Sequence, residues 1–340
     1  MITGSTPPTS KTEYYDKGVF LWASPADLGN VKDVISTKTK LSQQGFDKCR
    51  KIPAHSILVT CIGSTIGKMG MATTEMATNQ QINSIIPIDC NPDYVYYSIQ
   101  SRFPKYITSI ATQAVPILSK SVFESLDSYK TSIEEQNKIG KLLHLLDERI
   151  DAQSKIIEEH ETLLRSLRHK LFNQCVDSHT QCRIGDILSI GSGKDYQHLR
   201  EGEIPVYGTG GIISHVNESL YDGESVCIGR KGTINKPLYL SGRFWTVDTL
   251  FYTHSFNGIL PRFCYHLFCT IDWLTYNEAS GVPSLSKSTI EKILVSIPQI
   301  DIQKRIVQIL DSIEEKINID RNTLLDYQKQ KIYLLSRMFI

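Results

Sequence analysis

Two stretches of this chain set glycines around polar residues as phosphate-binding loops do, and neither keeps the full pattern. Gly63-Ser64-Thr65-Ile66-Gly67-Lys68-Met69 has three residues between its glycines. A phosphate loop needs four there, and a Ser or Thr after the lysine to hold magnesium; Met69 stands in that place. GTGGII (208–213) puts Ile213 where a dinucleotide fingerprint needs its last glycine. NPDY (91–94) resembles the Asn-Pro-Pro-aromatic motif of amino-group methyltransferases, but Asp93 breaks it and no glycine-rich cofactor loop follows a strand upstream. Asn91 reads instead as a helix N-cap. ILSKS (117–121) and SLSKS (284–288) bring Ser and Lys together. Both sit just before a helix, so a capped turn fits better than a nucleophile with its base.

Metal ligation finds no pattern either. The nine histidines include no HExxH. Cys49, Cys61, Cys90, Cys175, Cys182, Cys227, Cys264 and Cys269 form no CxxC pair, which argues against a zinc ribbon and for reduced thiols in a cytoplasm. No catalytic constellation and no metal site is expected in the chain. No apolar run approaches the roughly 20 residues that span a membrane. MITGSTPPTSKTEYY lacks the basic start and apolar stretch of a secretory signal.

Net charge is +1 over 340 residues. Residues 1–130 carry 13 Lys/Arg against 10 Asp/Glu, and residues 178–297 carry 10 against 11. Any DNA-binding surface must therefore be a local patch.

The dominant feature is an internal repeat. Val115, Pro116, Leu118, Ser119, Lys120, Ser121 and Glu124 match Val282, Pro283, Leu285, Ser286, Lys287, Ser288 and Glu291 at a constant offset of 167. The match runs on without a gap: Gln136, Ile139, Leu143, Glu148, Ile150, Leu167 and Phe172 correspond to Gln303, Ile306, Leu310, Glu315, Ile317, Leu334 and Phe339. The chain is two copies of one unit, each a globular part followed by a helix.

Each helix carries a heptad seam. In the first copy it is Ile139, Leu143, Leu146, Ile150, Ile157, Leu164, Leu167 and Leu171, with Gln153 and His160 in the gaps. In the second it is Ile306, Leu310, Ile313, Ile317, Leu324, Tyr327, Leu334 and Met338, interrupted by Asp320 and Lys331. About 40 residues without proline make a helix of about 60 Å. A narrow stripe on so long a helix wants a partner, and the other copy supplies it, antiparallel if a pseudo-twofold axis relates the units. The equivalent polar positions Gln153 and Asp320 either set the register or stay solvated.

The globular parts read as mixed α/β with many short strands. SILVTCIG (56–63) and SVCIGRKG (225–232) predict buried strands ending at glycine turns. FWTVDTLFYT (244–253) alternates as one strand should, and 91–101 and 260–270 predict short capped helices. Cys61-Ile62-Gly63 echoes Cys227-Ile228-Gly229, and Thr65, Ile66 and Lys68 echo Thr233, Ile234 and Lys236 after a small shift.

GSTIGKMG, EMATNQQINSIIP, VPILSKS and the helix EEQNKIGKLLHLLDERIDAQSKIIEEHETLLRSLRHKLF, followed by YGTGGII, IGRKGTINKP, FWTVDTLFY, VPSLSKS and IPQIDIQKRIVQILDSIEEKI, resemble the specificity subunits of type I restriction–modification enzymes. The resemblance covers nearly the whole chain. It implies two target-recognition domains, residues 1–130 and 179–297, each reading one part of a split DNA site. It implies helical spacers, 131–176 and 298–340, that dock methyltransferase subunits, two of them, and through these the restriction subunits. S-adenosylmethionine, ATP and magnesium then belong to the partners, and this chain alone is no enzyme. RIGDILSIGSGK (183–194) precedes the second recognition domain, and no equivalent precedes ITGST; a truncated or late start is expected.

Base reading favours polar residues on loops held by strands. In the first domain these are Ser64, Thr65, Lys68, Asn79, Gln80 and Gln81, since Gln and Asn read adenine bidentately. In the second they are Arg230, Lys231 and Lys236, suited to guanine, with Lys194, Tyr196 and Gln197 after the GSG turn. Domains at the ends of such helices suit half-sites about one helical turn, near 34 Å, apart. The competing reading is a coiled-coil scaffold whose globular parts bind protein.

Overall fold

The computed structural model describes residues 1–29, 31–108, 116–173 and 180–339. Val115 of the repeat and the inter-copy stretch 174–179, with Cys175, lie outside the described residues. The chain divides into two compact units, Met1–Ile156 with Arg321–Ile340, and Ile157–Asp320.

Unit 1 contains β1 (Ile2–Thr3), β2 (Phe20–Ala23), β3 (Asp33–Val34), β4 (Thr39–Leu41), α1 (Gln43–Asp47), β5 (Lys51–Ile52), β6 (Ile57–Thr60), β7 (Met69–Ala72), β8 (Met76–Thr78), β9 (Ile82–Ile85), α2 (Pro92–Thr108) and α3 (Lys120–Glu124). The long helix α4 (Ile133–Asn173) starts here and ends in unit 2. Unit 2 contains β10 (Thr180–Arg183), α5 (Ile184–Ile187), β11 (Ser189–Ser192), β12 (Ile204–Gly208), β13 (Gly211–Val216), β14 (Tyr221–Asp222), β15 (Ser225–Gly229), β16 (Leu238–Leu240), β17 (Arg243–Thr246), β18 (Leu250–His254), α6 (Pro261–Phe268), α7 (Lys287–Lys292) and β19 (Leu294–Ile297). The second long helix, α8 (Ile300–Met338), starts in unit 2 and ends in unit 1.

The sheets repeat. Unit 1 has the orders β1-β9-β6-β7-β3 and β4-β2-β8-β5; unit 2 has β11-β18-β15-β16 and β13-β12-β17-β14. Strand for strand these correspond, down to the parallel pairs β2–β8 and β12–β17. Each unit adds its own extra: β3 beside β7 in unit 1, and the β10–β19 pair in unit 2. The central strands read as continuous apolar runs because both faces are covered: Ile57, Leu58 and Val59 in β6, and Val226, Cys227 and Ile228 in β15, are wholly buried.

Two expectations need correction. FWTVDTLFYT is not one strand: β17 and β18 belong to different sheets. The chain turns between them at Val247–Thr249, closed by the Leu250 N–H on the Val247 carbonyl at 2.9 Å. Only Asp248 and Thr249 mark the turn, a polar pair between two apolar stretches, and a single alternating reading passes over it. The helix expected at 91–101 runs on to Thr108 with Pro104 inside it. Its N-cap is as expected: Asn91 Oδ1 accepts the Tyr94 N–H at 2.9 Å.

Within each unit the long-helix segments pack in pairs. In unit 1, Leu143 is fully buried and packs in one core with Ile139, Leu334, Leu335, Met338 and Phe339, and Lys331 pairs with Asp147. In unit 2, Ile157, Leu164, Ile306, Leu310 and Ile317 are buried. There His160 meets Asp320 at 3.0 Å and Arg168 meets Glu314. Numbers rise on one helix as they fall on the other, so the pairing is antiparallel. Leu146 is buried, while Ile150, Leu167, Ile313, Leu324, Leu171, Tyr327, Gln153 and His160 are half-buried. Asp320 is 4% exposed and also accepts from Lys316 at 2.8 Å, so this polar break is not solvated. A slipped register would separate this buried carboxylate from the His160 ring on the other helix, so the pair penalises slippage.

One buried side chain ties each long helix to its globular part. Gln136 Oε1 accepts the Asn91 N–H at 3.0 Å while its amide donates to the Thr131 carbonyl at 2.8 Å. Gln303 Oε1 accepts the Leu260 N–H at 2.9 Å while its amide donates to the carbonyls of Gly258 and Pro298 at 2.8 and 2.9 Å. Both glutamines are fully buried. Gln303→Leu keeps the bulk but strands these backbone groups, at a cost of about 1–3 kcal/mol in denaturant unfolding. Gly140 gives a second test. A Cβ there would lie 2.6 Å from Asn91 Oδ1 and 3.1 Å from Tyr94 N. Gly140→Ala, which in an open helix gains up to about 1 kcal/mol, should here lose about 1–3 kcal/mol; a raised midpoint would contradict this packing.

Candidate nucleic-acid interface

In both units three chain segments converge on the start of one strand. In unit 1 that strand is β9. Gly4 N–H bonds the Ile82 carbonyl at 3.0 Å, Ser5 N–H the Thr78 carbonyl at 2.8 Å, and Cys61 N–H the Gln81 carbonyl at 2.8 Å. In unit 2 it is β18. Gly193 N–H bonds Leu250 at 2.9 Å, Lys194 N–H bonds Thr246 at 2.8 Å, and Arg230 N–H bonds Thr249 at 2.7 Å. Gly4 and Gly193 pass so close to the neighbouring turn that a Cβ would meet a carbonyl oxygen at 2.2 and 2.0 Å. Only glycine fits there. Trp22 and Trp245, on adjacent strands of the equivalent sheets, then brace the edge from below. Each indole N–H donates to one carbonyl, of Ser5 at 3.0 Å and Lys194 at 2.8 Å.

A fourth segment is stitched on by backbone. Gly63 N–H bonds the Pro116 carbonyl at 3.1 Å and Leu118 N–H the Cys61 carbonyl at 2.8 Å. Gly232 N–H bonds Pro283 at 2.9 Å and Leu285 N–H bonds Arg230 at 3.0 Å. Gly63 and Gly232 share positive φ, 93° and 88°. This fixes the equivalence of the turns and corrects the sequence echo. Cys61-Ile62-Gly63 corresponds to Arg230-Lys231-Gly232, three positions beyond Cys227-Ile228-Gly229. The hydrogen-bond register, not residue identity, decides it.

The expected residues fall along these edges unevenly. In unit 1, Asn79, Gln80 and Gln81 form the β8–β9 turn. Asn79 Oδ1 accepts the Gln81 N–H at 2.8 Å, Gln80 Oε1 accepts from Thr6, and Gln81 reaches the Ile62 carbonyl at 3.5 Å. Ser64 and Thr65 follow on the neighbouring turn, Ser64 exposed. Lys68 does not join them. Its stem lies against Gly29, and it lines a cavity of about 790 Å³ with Tyr96, Asp147 and Lys331. In unit 2, Lys194, Gln197, Arg230, Lys231 and Lys236 are exposed. Tyr196 instead packs on Ile204, Val206, Val216 and Trp245. Sequence reasoning missed Thr6 and Lys287, which only the backbone stitching brings to the edge.

The rejected motifs lose their catalytic readings structurally. Lys68 leads into β7 rather than a helix, and GTGGII is the β12–β13 hairpin. The Ser-Lys motifs are caps: Ser119 Oγ accepts the Val122 N–H at 3.3 Å and Ser286 Oγ that of Thr289 at 3.2 Å. Burial pushes the Cys61 thiol up to about 11 and that of Cys227 to about 12, which leaves both inert.

Folding assembles one cluster with metal-ligand chemistry among the described residues: His266, Asp311 and Glu314. Two guanidiniums already serve it. Arg262 Nε donates to Asp311 at 2.8 Å, and Arg262 and Arg168 both pair with Glu314. Arg168 Nε donates to His266 Nδ1 at 3.2 Å, so His266 carries its proton on Nε2 and donates to Asp311 at 2.8 Å. The arrangement is an ion-pair network that fastens α6 to the helix pair of unit 2. Burial lowers the His266 pKa below its ordinary value. The unfolded chain therefore takes up a proton near pH 6.5 that the folded chain refuses. Stability is full above that pH and falls as pH drops through it, by at most about 1.4 kcal/mol per pH unit from this residue. Unfolding of His266→Gln against the parent between pH 7.5 and 5.5 should show a flatter pH dependence in the variant.

A family model described as the type I restriction modification DNA specificity domain matches residues 1–162 and again 179–326. The chain belongs to that family. It is 24% identical over 388 residues to the type I restriction enzyme MjaIX specificity subunit of Methanocaldococcus jannaschii, with 98% of this chain and 89% of the relative covered. It is 22% identical over 352 residues to the EcoprrI specificity subunit of Escherichia coli, covering 93% and 85%. The solved S subunit of a type I system from M. genitalium shares the fold at a TM-score of 0.68 and 18% identity over 99% of this chain and 92% of that one. A chain solved in work on complex assembly and conformational transition of the type I R-M system matches at a TM-score of 0.60 and 12% identity, over 99% and 94%. Among the described residues no helix is long and apolar enough to cross a membrane.

Proposed function

We propose that this chain is the DNA-reading subunit of a type I restriction–modification complex, with residues 1–130 and 179–297 as the two readers of a split site. The observation that carries this is one edge built twice on one scaffold with different side chains. Unit 1 offers amides and hydroxyls at Asn79, Gln80, Gln81, Ser64 and Thr65; unit 2 offers cations at Lys194 and Lys236, with Arg230 and Lys231 on the turn beside them. Amides suit adenine edges and guanidinium or ammonium groups suit guanine, so the two halves select different bases. Lys68 and Tyr196 act from behind these edges rather than on DNA.

The helical stretches 131–176 and 298–340 space the readers and dock two methyltransferase subunits, which in turn recruit the restriction subunits. S-adenosylmethionine, ATP and magnesium act in those partners, and the assembly works in the cytoplasm. The chain itself reads and positions without catalysing.

The test is selection from a randomised duplex library by this chain in complex with its methyltransferase subunit. A split motif should emerge, and replacing residues 1–130 or 179–297 with another reader should erase one half and spare the other. Binding that depends steeply on salt but selects no motif would sink the proposal.

A further inference from the structure

The repeated Ser-Lys motif has a second use in unit 2. Ser284 bridges Lys231 in an isolated antiparallel contact, and Leu285 N–H bonds the Arg230 carbonyl at 3.0 Å. This pins the segment Ser284–Lys287 beside the recognition turn. Between them lies an open cleft of about 400 Å³ lined by Arg230, Lys231 and Lys287, with the hydroxyls of Ser192, Ser284 and Ser286. Phe251 forms its apolar wall, with the Arg230 guanidinium 6.0 Å from the ring centre.

One carboxylate, Glu278, also lines the cleft. It is occupied by Thr289 Oγ1, by Ser286 Oγ at 2.8 Å and by the Ser286 N–H at 3.3 Å. Lys287 lies 3.6 Å from Glu291 on its own helix, with half its side chain exposed. Such a surface pair contributes little and is easily exchanged for a better anion. The cleft thus gathers three cations and three hydroxyls around one engaged carboxylate.

We propose that this cleft grips a DNA backbone phosphate, with Lys287 and Lys231 as its cationic jaws and Arg230 steadied against Phe251. The inference rests on the DNA-reading function proposed above and assigns these groups to backbone contact rather than to base edges. The sequence logic supports it. Ser286-Lys287-Ser288 recurs as Ser119-Lys120-Ser121 in the other copy, and a contact kept in both readers carries no base information. Ammonium groups among hydroxyls suit a phosphodiester as point charges. At the positions of Arg230 and Lys231 unit 1 has Cys61 and Ile62. The unit 2 half therefore carries more of the salt dependence.

The experiment compares Lys287→Gln with the parent chain, each in complex with its methyltransferase subunit. It uses the selected split-motif duplex and a random duplex of equal length across a salt series. One lost phosphate contact lowers the slope of log affinity against log salt by about 0.9 and weakens binding about fivefold at 0.15 M salt. Both duplexes should be affected alike, base preferences should stay unchanged, and Lys287→Arg should restore the slope. A changed preference at one base pair would make Lys287 a base reader and overturn the proposal, and so would an unchanged slope. Should the parent select no motif, the DNA-reading function fails by itself, and a reduced slope on random duplex would still support the cleft.

Discussion

Gln136 and Gln303 are fully buried, and each closes backbone hydrogen bonds on two segments at once. A backbone N–H at the entry to α2 or α6 must find an acceptor, and the carbonyls before α4 or α8 must find donors. One amide side chain answers both needs because it is donor and acceptor at once. The direction in which each long helix leaves its globular part is thereby tied to the helix that packs under the sheets. The helix pair of each unit is set against its globular part at that junction.

Around the junction the two copies can differ only where the difference is harmless. The seam is held by apolar volume and by polar groups that meet a named partner opposite, as at Asp320 with His160 and Asp147 with Lys331. The strand-end turns have no such obligation. They are anchored chiefly by backbone hydrogen bonds and by glycines that must let chains approach, which leaves their side chains wider latitude. Unit 1 has used that freedom for amides and hydroxyls, unit 2 for cations. A reader of two unlike half-sites needs this separation of a fixed frame from a variable edge.

The ion-pair network of unit 2 shows how local chemistry is subordinated to the frame. His266, Asp311 and Glu314 would suit a divalent ion by type and proximity. Arg168 and Arg262 bring permanent positive charge into the same space, and a dication would have to displace both. The cluster therefore holds α6 to the helix pair.

The sequence by itself determined what depends on periodicity and repetition. The heptad seams, the antiparallel partner, the constant offset between copies and the Asn91 cap were legible because each rests on residues a turn or two apart, or on a match without gaps. The tertiary structure decided what depends on register between distant segments. No spacing tells that Arg230, not Cys227, occupies the place of Cys61, because that equivalence is written in which carbonyl each N–H meets. The break between β17 and β18, the withdrawal of Lys68 to a cavity, the arrival of Lys287 beside Lys231 and the meeting of His266 with Asp311 have the same origin. Side-chain identity encodes burial and helical phase strongly, but contacts across dozens of residues are fixed only when backbone donors and acceptors pair in space.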